Sequence, residues 1–134
     1  EISECLVGSE MCIRDSCKDT TMVGSDILIY RMVYNLVENA IKYNHFGGQV
    51  TVTAYRKGKN ICLSVEDTGS GIPAELKERI FEPFFRVDKS RSRQLGGVGL
   101  GLALVREIVR VHDGRITVQS SPSGGTIFEV VFTQ

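Results

Sequence analysis

The sequence is most regular where residues 31–43 read Arg-Met-Val-Tyr-Asn-Leu-Val-Glu-Asn-Ala-Ile-Lys-Tyr. Apolar residues recur there at helical spacing, which predicts a buried stripe of Ile29, Met32, Val33, Leu36, Val37, Ala40 and Ile41. A second face collects polar residues at i, i+3, i+4 and i+7, namely Asn35, Glu38, Asn39 and Lys42. The pattern predicts one long helix that is capped at Ser25 or Asp26 and runs to about Asn44.

Two asparagines on one helix face are unusual. Asparagine competes with the helix backbone for hydrogen bonds, so a face that only meets water favours Glu, Lys, Gln or Arg. Neutral oxygen donors beside the Lys42 ammonium suit a magnesium–phosphate group, which makes Asn35 and Asn39 candidate ligands. A plainly solvated helix face is the alternative.

The flanking sequence alternates apolar and polar residues in four segments, which predicts strands at 49–56, 61–67, 115–120 and 126–132. A further short strand is predicted at 20–23. A second helix is predicted to run to about His112, with Gly114 placed to stop it. Because strands and helices do not alternate strictly, the pattern fits an α+β fold with helices on one face of a mixed sheet.

The composition fits one cytoplasmic domain. The chain has 134 residues, and its 16 basic and 16 acidic residues balance without a block of like charge. This balance argues against a role driven by bulk charge on nucleic acid or a membrane surface. No apolar run approaches the about 20 residues that cross a bilayer, and no secretory signal is visible. The four cysteines lack C-x-x-C spacing and are expected to be reduced thiols.

Residues 1–16 carry neither a helical nor a strand period, and they resemble translated sequencing-adaptor sequence. We expect them to be a non-native or disordered leader and residues 17–134 to form the domain. The genomic locus tests this expectation, because codons contiguous with the rest of the gene would refute it.

Asp67 ends the predicted strand 61–67. Period-2 alternation places it on the same face as Leu63 and Val65, so its carboxylate points toward the apolar core. A buried carboxylate needs a hydrogen-bond donor, and the exocyclic amine of adenine is a pure donor. The alternative is a carboxylate that caps the turn Asp67-Thr-Gly-Ser-Gly71.

Gly96-Gly-Val-Gly-Leu-Gly-Leu102 opens the second predicted helix. Glycines let backbone N–H groups approach an anion and a helix N-terminus adds a favourable dipole, so a phosphate cradle is expected. The segment lacks the P-loop pattern, and Leu102 stands where a dinucleotide fingerprint has its last glycine. A flexible loop that ends in a helix start is the alternative.

Phe81-Glu-Pro-Phe-Phe-Arg86 lies between those two motifs and is followed by a polar, basic tail at 88–93. Pro83 breaks any helix, and the tail is too polar to pack. The segment fits a mobile lid that carries Arg86 or Lys89 toward phosphate, or else a surface loop anchored by its aromatic residues.

The types, order and spacing of these motifs resemble the ATP-binding catalytic domain of sensor histidine kinases. That domain is a branch of the ATPase superfamily shared with gyrase, the Hsp90 chaperone and MutL. The N box of the family resembles residues 35–43, its two main glycine boxes resemble 67–72 and 97–102, its F box 81–86 and its last glycine box 124–126. The resemblance covers about residues 17–134, and as an ordered set the motifs are highly specific.

The resemblance implies a Bergerat-type two-layer α/β sandwich, in which about three helices cover a mixed sheet of about five strands. It implies ATP or ADP with Mg²⁺. The implied nucleotide contacts are Asn35, Asn39, Lys42, Tyr43, Asp67, Gly69, Gly71, Ile72, Phe84, Arg86, Gly97, Val98, Gly99, Leu100, Gly101, Leu102 and Thr126. Asp67 would bind the adenine amine with support from Thr126. Asn39 and Asn35 would hold Mg²⁺, and Arg86 would reach the γ-phosphate.

Asn35 separates this chain from the gyrase-like and chaperone-like relatives, in which a glutamate at that position activates water. An amide cannot act as a base, so we expect slow hydrolysis and transfer of the γ-phosphoryl group to an external nucleophile. Glu38 is a candidate to polarise that nucleophile, although an exposed helix carboxylate is the simpler reading.

The resemblance also implies partners. The nucleophile would be a histidine on a dimerisation domain, normally upstream in the same protein, and a response regulator would be an indirect partner. No contact with nucleic acid or membrane is expected from this domain, although the parent protein is compatible with a membrane anchor. Neither His45 nor His112 fits the acceptor role, so the chain alone should bind ATP without autophosphorylation. The alternative is a stand-alone nucleotide-binding regulator, like the anti-sigma serine kinases, which acts through protein–protein contact and generally lacks an F box.

Overall fold

The computed structural model describes residues 3–6, 11–17, 24–85 and 100–133. The strands are β1 (Ser3–Leu6), β2 (Met11–Cys17), β3 (Gln49–Lys57), β4 (Asn60–Asp67), β5 (Gly114–Ser120) and β6 (Thr126–Thr133). The α-helices are α1 (Asp26–Lys42) and α2 (Gly101–Val111), and two 3₁₀ turns (Ala74–Leu76 and Arg79–Phe81) lie between β4 and α2. The α+β class is confirmed. The strand predicted at 20–23 lies outside the described residues.

The strands form one sheet in the order β1-β2-β3-β4-β6-β5. β2 and β3 are parallel and the other neighbouring pairs are antiparallel, so the sheet is mixed. The described ranges hold six strands, close to the predicted number of about five, and four of them (β3 to β6) follow residue 24. β1 and β2 lie in the expected leader, and its expected boundary after residue 16 falls inside β2.

Two α-helices are present in the described ranges, and the count of about three stays a prediction for the whole chain. Helix α1 begins as predicted, because the Ser25 side chain accepts a hydrogen bond from the Leu28 backbone N–H (3.3 Å). It ends at Lys42, slightly before the predicted end, and the Tyr43 N–H closes its last turn on Asn39 O (3.2 Å). Neither helix of the described part is long and apolar enough to cross a bilayer.

The core lies between these helices and one face of the sheet. The predicted period-2 alternation is confirmed, since one face of β4 buries Ile61, Leu63, Val65 and Asp67, and one face of β6 buries Thr126, Phe128, Val130 and Phe132. The helices cover that face with Met32, Leu36, Ala40, Val105, Ile108 and Val109. The sheet thus carries Asp67 and Thr126 at the same end of two neighbouring strands.

The residue that ends α2 differs from the prediction. Asp113 adopts the left-handed conformation (φ +57°) after the last turn and donates its N–H to Arg110 O (3.0 Å). Gly114 instead begins β5, where a Cβ would lie 2.8 Å from both the Phe132 ring and Val131 O. Glycine is therefore required at position 114 because the strand packs closely against β6. The end of the helix does not require it.

Candidate functional site

Asp67 closes β4 where the strand leaves the core. Its side chain is 6% exposed, and its Oδ1 accepts hydrogen bonds from Gly69 N (2.9 Å) and Thr126 N (3.2 Å). Among the described residues, no hydrogen bond reaches Oδ2. Burial raises the pKa of this carboxyl, the two backbone N–H groups oppose that rise, and the nearby Glu66 charge adds to it. One carboxylate oxygen is thus held by the protein, and the other is an acceptor for a donor from outside.

Glycines leave the space in which this carboxylate sits. A Cβ on Gly125 would contact the Asp67 backbone oxygen and lie 2.8 Å from Oδ1, and a Cβ on Gly69 would lie 3.1 Å from the same Oδ1. A Cβ on Gly71 would lie 2.6 Å from Gly124 O. The loop after β4 and the turn before β6 therefore pack against each other. The fold brings together the predicted site residues Asp67, Gly69, Gly71 and Thr126, and Thr126 contributes its backbone N–H.

Asn35 lies against the start of α2. Its Nδ2 donates to Arg31 O one turn earlier on the helix (2.9 Å), so the amide oxygen Oδ1 faces away from the helix backbone. A Cβ on Gly101 would lie 3.4 Å from this Oδ1. Asn39 is half-buried one turn further along the same face. The N-box helix and the second glycine box therefore meet at Asn35 and Gly101.

Glu38 has two partners on its own helix. Its Oε2 accepts a hydrogen bond from the Tyr34 hydroxyl (3.2 Å), and its Oε1 lies 3.7 Å from Lys42 Nζ. The Glu38 charge, followed by this hydrogen bond, raises the pKa of Tyr34. These contacts agree with the simpler reading of Glu38 as a helix-surface carboxylate, and its role in phosphoryl transfer stays a prediction.

The N-terminus of α2 is the other polar feature near Asn35. Leu100 occupies the N-cap position, and no side chain in the described part of the chain caps this end. The first N–H groups of a helix have no partner within it, so they suit an anion. Leu102, together with Ile72 from the β4 loop, packs half-buried against the core. The predicted contacts Gly97, Val98 and Gly99 lie outside the described residues.

The aromatic residues of the predicted lid segment comprise two anchored rings and one exposed ring. Phe81 is buried edge-to-face against Phe128, with ring centroids 6.2 Å apart. Phe85 is half-buried under the Arg79 guanidinium, which lies 4.7 Å from its ring centroid. Phe84 is 69% exposed and adopts φ +67°, an uncommon conformation for a large side chain. Arg86, the predicted γ-phosphate contact, lies outside the described residues.

Sequence reasoning missed two polar side chains beside Asp67. Asn44 is buried and Thr68 is half-buried, and the Thr68 hydroxyl donates to Asn44 Oδ1 (3.1 Å). Both directly follow a predicted site residue, Tyr43 and Asp67 respectively. Their contact joins positions 24 residues apart, so no local pattern announces it.

The donors on α1 suit a hard cation that also binds phosphate. In the described ranges no group of three or more His, Cys, Asp and Glu side chains could hold a metal ion by itself. Asn35 and Asn39 offer amide oxygens, which are ligands that Mg²⁺ accepts when substrate phosphates and water complete its coordination.

The sequence places this arrangement in a known family. Residues 24–134 match the profile of histidine kinase-, DNA gyrase B- and HSP90-like ATPases. The chain belongs to this family. The sensor-like histidine kinase SenX3 of Mycobacterium tuberculosis (strain ATCC 25618 / H37Rv) is 45% identical over 114 residues, which are 85% of this chain and 28% of SenX3. The chain thus spans less than a third of that relative.

Solved structures agree with the sequence comparison. The mycobacterial sensor histidine kinase MprB aligns with a TM-score of 0.84 at 30% identity, over 93% of this chain and 84% of the MprB chain. Histidine kinase ThkA, solved in complex with the response regulator protein TrrA, aligns with a TM-score of 0.74 at 27% identity, over 93% of this chain and 34% of that chain. The resemblance to histidine-kinase catalytic domains is therefore confirmed.

Proposed function

We propose that this domain binds Mg-ATP and donates the γ-phosphoryl group to a histidine on a separate dimerisation domain. The observation that carries the proposal is the buried Asp67 carboxylate, whose Oδ1 is held by two backbone N–H groups while Oδ2 faces no described donor. An amino group could donate to Oδ2, which accepts no hydrogen bond from the described residues, so the site favours a base with an exocyclic amine.

The base would be held by the elements that surround Asp67. Ile72 and Leu102 lie half-buried at the edge of the core and offer apolar contacts, and the half-buried Tyr43 is the third predicted pocket residue. Gly69 and Gly71 keep the backbone close to the carboxylate. Adenine, which combines an apolar ring face with one exocyclic amine, fits these features.

The phosphates would lie between α1 and the start of α2. The Asn35 and Asn39 oxygens fit Mg²⁺, and the Lys42 ammonium fits a phosphate oxygen. The N-terminus of α2 at Gly101, which no described side chain caps, fits another phosphate oxygen. When bound, Mg²⁺ supplies charge neutralisation on the phosphates. Gly97–Gly99, Arg86 and the exposed Phe84 stay predicted contacts of the lid.

The domain would pass its phosphoryl group to histidine rather than to water. Asn35 carries an amide whose nitrogen is already bonded to Arg31 O, and an amide has no basic atom to activate water. Catalysis would therefore consist of positioning and charge neutralisation, with hydrolysis slow. Glu38 remains the candidate that polarises the incoming imidazole.

The partners follow from the same proposal. The acceptor histidine would lie on a dimerisation domain of the parent protein, and a response regulator would then receive the phosphoryl group. ThkA, whose solved complex contains a response regulator, supports a response regulator as a partner. ATP is a cytoplasmic donor, so the domain would face the cytoplasm whether or not the parent is membrane-anchored.

A reconstitution experiment tests the proposal. The chain would be mixed with Mg-ATP labelled on the γ-phosphate and a dimerisation domain from a close relative, and the labelled product would be treated with acid and with base. Acid-labile, base-stable label on the acceptor histidine, absent with Asp67→Asn, is the expected result. ATP binding without such label would favour the stand-alone regulator, and no binding of ATP would refute the nucleotide site.

A further inference from the structure

A buried polar cluster lies where the end of α1 meets the loop after β4. Its centre is Asn44, which is 7% exposed. Asn44 Oδ1 accepts hydrogen bonds from the backbone N–H of His45 (2.8 Å) and the hydroxyl of Thr68 (3.1 Å), and Asn44 Nδ2 donates to Gln49 O (2.9 Å). The amide thus uses its donor and its acceptor at once, so its orientation is determined.

Thr68 closes this cluster into a ring. Its hydroxyl oxygen accepts from the Gln49 N–H (2.9 Å) while its proton goes to Asn44, and its backbone N–H donates to Gln49 O (3.2 Å). A Cβ on Gly48 would lie 2.7 Å from the Asn44 amide carbon and 2.9 Å from the Thr68 hydroxyl. The chain turns here without a side chain at 48 because these two polar groups occupy the space.

The cluster joins the two halves of the proposed nucleotide site. Asn44 follows Tyr43 and Lys42 at the end of the helix that carries Asn39, and Thr68 follows Asp67. A Cβ on Gly69 would contact Tyr43 O and lie 3.2 Å from the Asn44 Cα, so the two backbones are in direct contact. A shift of the helix end relative to β4 would change the separation between the adenine carboxylate and the phosphate-facing side chains.

We infer that Asn44 and Thr68 are positioning residues that set the distance between the adenine and phosphate ends of the site. This inference rests on the proposed function. The described hydrogen bonds of both side chains lie within the protein. Each acts through its neighbours, because the hydrogen-bonded ring holds Asp67 and the Asn39–Tyr43 segment in one register. A ligand that spans both ends depends on this register, whereas a ligand that reaches only the Asp67 end does not.

The test compares Mg-ATP with adenosine, which lacks phosphates. Thr68→Val removes the hydroxyl at nearly constant volume, and Thr68→Ser keeps it as the matched control. We expect Thr68→Val to lower the affinity for Mg-ATP about tenfold, the loss typical of one buried hydrogen bond, and adenosine affinity by about twofold at most. Thr68→Ser should keep the wild-type ratio of the two affinities. Calorimetry measures the affinity for Mg-ATP. Amide NMR titration measures the affinity for adenosine and confirms that each variant is folded.

If Thr68 only stabilises the fold, Thr68→Val would lower the melting temperature but leave the ratio of the two affinities of the folded protein unchanged. If the ratio of Mg-ATP affinity to adenosine affinity is the same in wild type and Thr68→Val, the inference is overturned. The proposed function would then remain intact. If wild type itself binds no Mg-ATP, the proposed function fails and the inference fails with it. Should Thr68→Val not fold, Asn44→Asp decides by the same ratio, since it keeps the volume and the acceptor but cannot donate to Gln49 O.

Discussion

The burial of Asp67 affects both the pKa of its carboxyl and the hydrogen bonds that this carboxyl can form. Burial among core residues raises the pKa of its carboxyl, and the Gly69 and Thr126 N–H groups offset only part of that effect. An ionised Asp67 therefore destabilises the fold until a donor reaches Oδ2. This cost agrees with the proposed role of Asp67 in nucleotide binding, since an apolar residue would pack the same position more favourably.

Asp67→Asn should separate binding from stability. The new amide can still accept from Gly69 N and Thr126 N through Oδ1, but its Nδ2 would face the adenine amine, donor against donor. We expect ATP affinity to fall about a hundredfold, as for a lost hydrogen bond to a charged group. Isothermal calorimetry measures this loss, and an unchanged affinity would refute the adenine assignment.

Asp67→Asn should also change how the stability of the fold depends on pH. Because the pKa of Asp67 is raised in the fold, the folded chain keeps its proton to higher pH than the unfolded chain, and its ionisation lowers stability as pH rises through that window. Asparagine removes this loss. Relative to wild type, Asp67→Asn should therefore gain stability in urea unfolding as pH rises from the ordinary pKa of an aspartate through the raised pKa of folded Asp67. A variant whose relative stability falls over that range would contradict the sign.

Gly125→Ala tests the close approach of the last glycine box to Asp67. The added Cβ would contact the Asp67 backbone oxygen and crowd Oδ1, so we expect a loss of about 3 kcal/mol of stability from overpacking, together with weakened ATP binding. Gly58→Ala is the control, because Gly58 has φ +64° with no atom near its Cβ position and should lose only about 1 kcal/mol. Equal effects of the two substitutions on ATP affinity would show that Gly125 has no special relation to the site.

At the scale of elements, His112 links the two helices. Its Nδ1 bonds to Ile108 O (2.8 Å), which assigns the proton to Nδ1, and its Nε2 accepts the backbone N–H of Ser25 (3.1 Å) at the N-cap of α1. The ring also packs edge-to-face on Phe132, with centroids 6.0 Å apart. The C-terminal end of α2 is thereby attached to the N-terminal end of α1, so the two helices run antiparallel.

His112→Phe should loosen this attachment without emptying the space. The ring contact with Phe132 is kept and both hydrogen bonds are lost, so we expect about 1 kcal/mol less stability and faster amide exchange at Ser25. Arg110→Ala, which removes only an exposed pair with Glu107 on the same helix, should leave both quantities unchanged. If His112→Phe leaves amide exchange at Ser25 unaltered, the hydrogen bonds of His112 do not stabilise the contact between the two helices.

At the scale of the whole molecule, the chain should bind ATP without phosphorylating itself. Both ring nitrogens of His112 are engaged, and His45 lies in the exposed turn after α1 with its Nδ1 bonded to Phe46 O (3.0 Å). Labelled ATP should therefore leave no acid-labile label on the isolated chain. Label that appears and then disappears in His45→Gln would show that the chain carries its own acceptor.

The strand and helix patterns of this molecule were predictable because they depend on local spacing. Alternation along residues 61–67 already places Asp67 on the core side, and the structure buries it there. Gly114 shows the limit of such reasoning. A glycine after a helix suggests a cap, yet Asp113 takes the left-handed conformation, and the Phe132 ring and Val131 O are what require glycine at 114. The neighbours across the fold, and not the local sequence, decide that position.

The sequence by itself determined the residue types and periods: a helix with Asn35 and Asn39 on one polar face, a carboxylate at the inward end of a strand, and glycines where backbone must approach. These are properties of a few consecutive residues and need no partner. Only the tertiary structure decided which N–H groups bond to Asp67 Oδ1, that Asn35 meets Gly101, and that Asn44 and Thr68 join the end of α1 to the loop after β4. Those contacts connect residues far apart in the chain, and their geometry exists only after the sheet and the helices have packed.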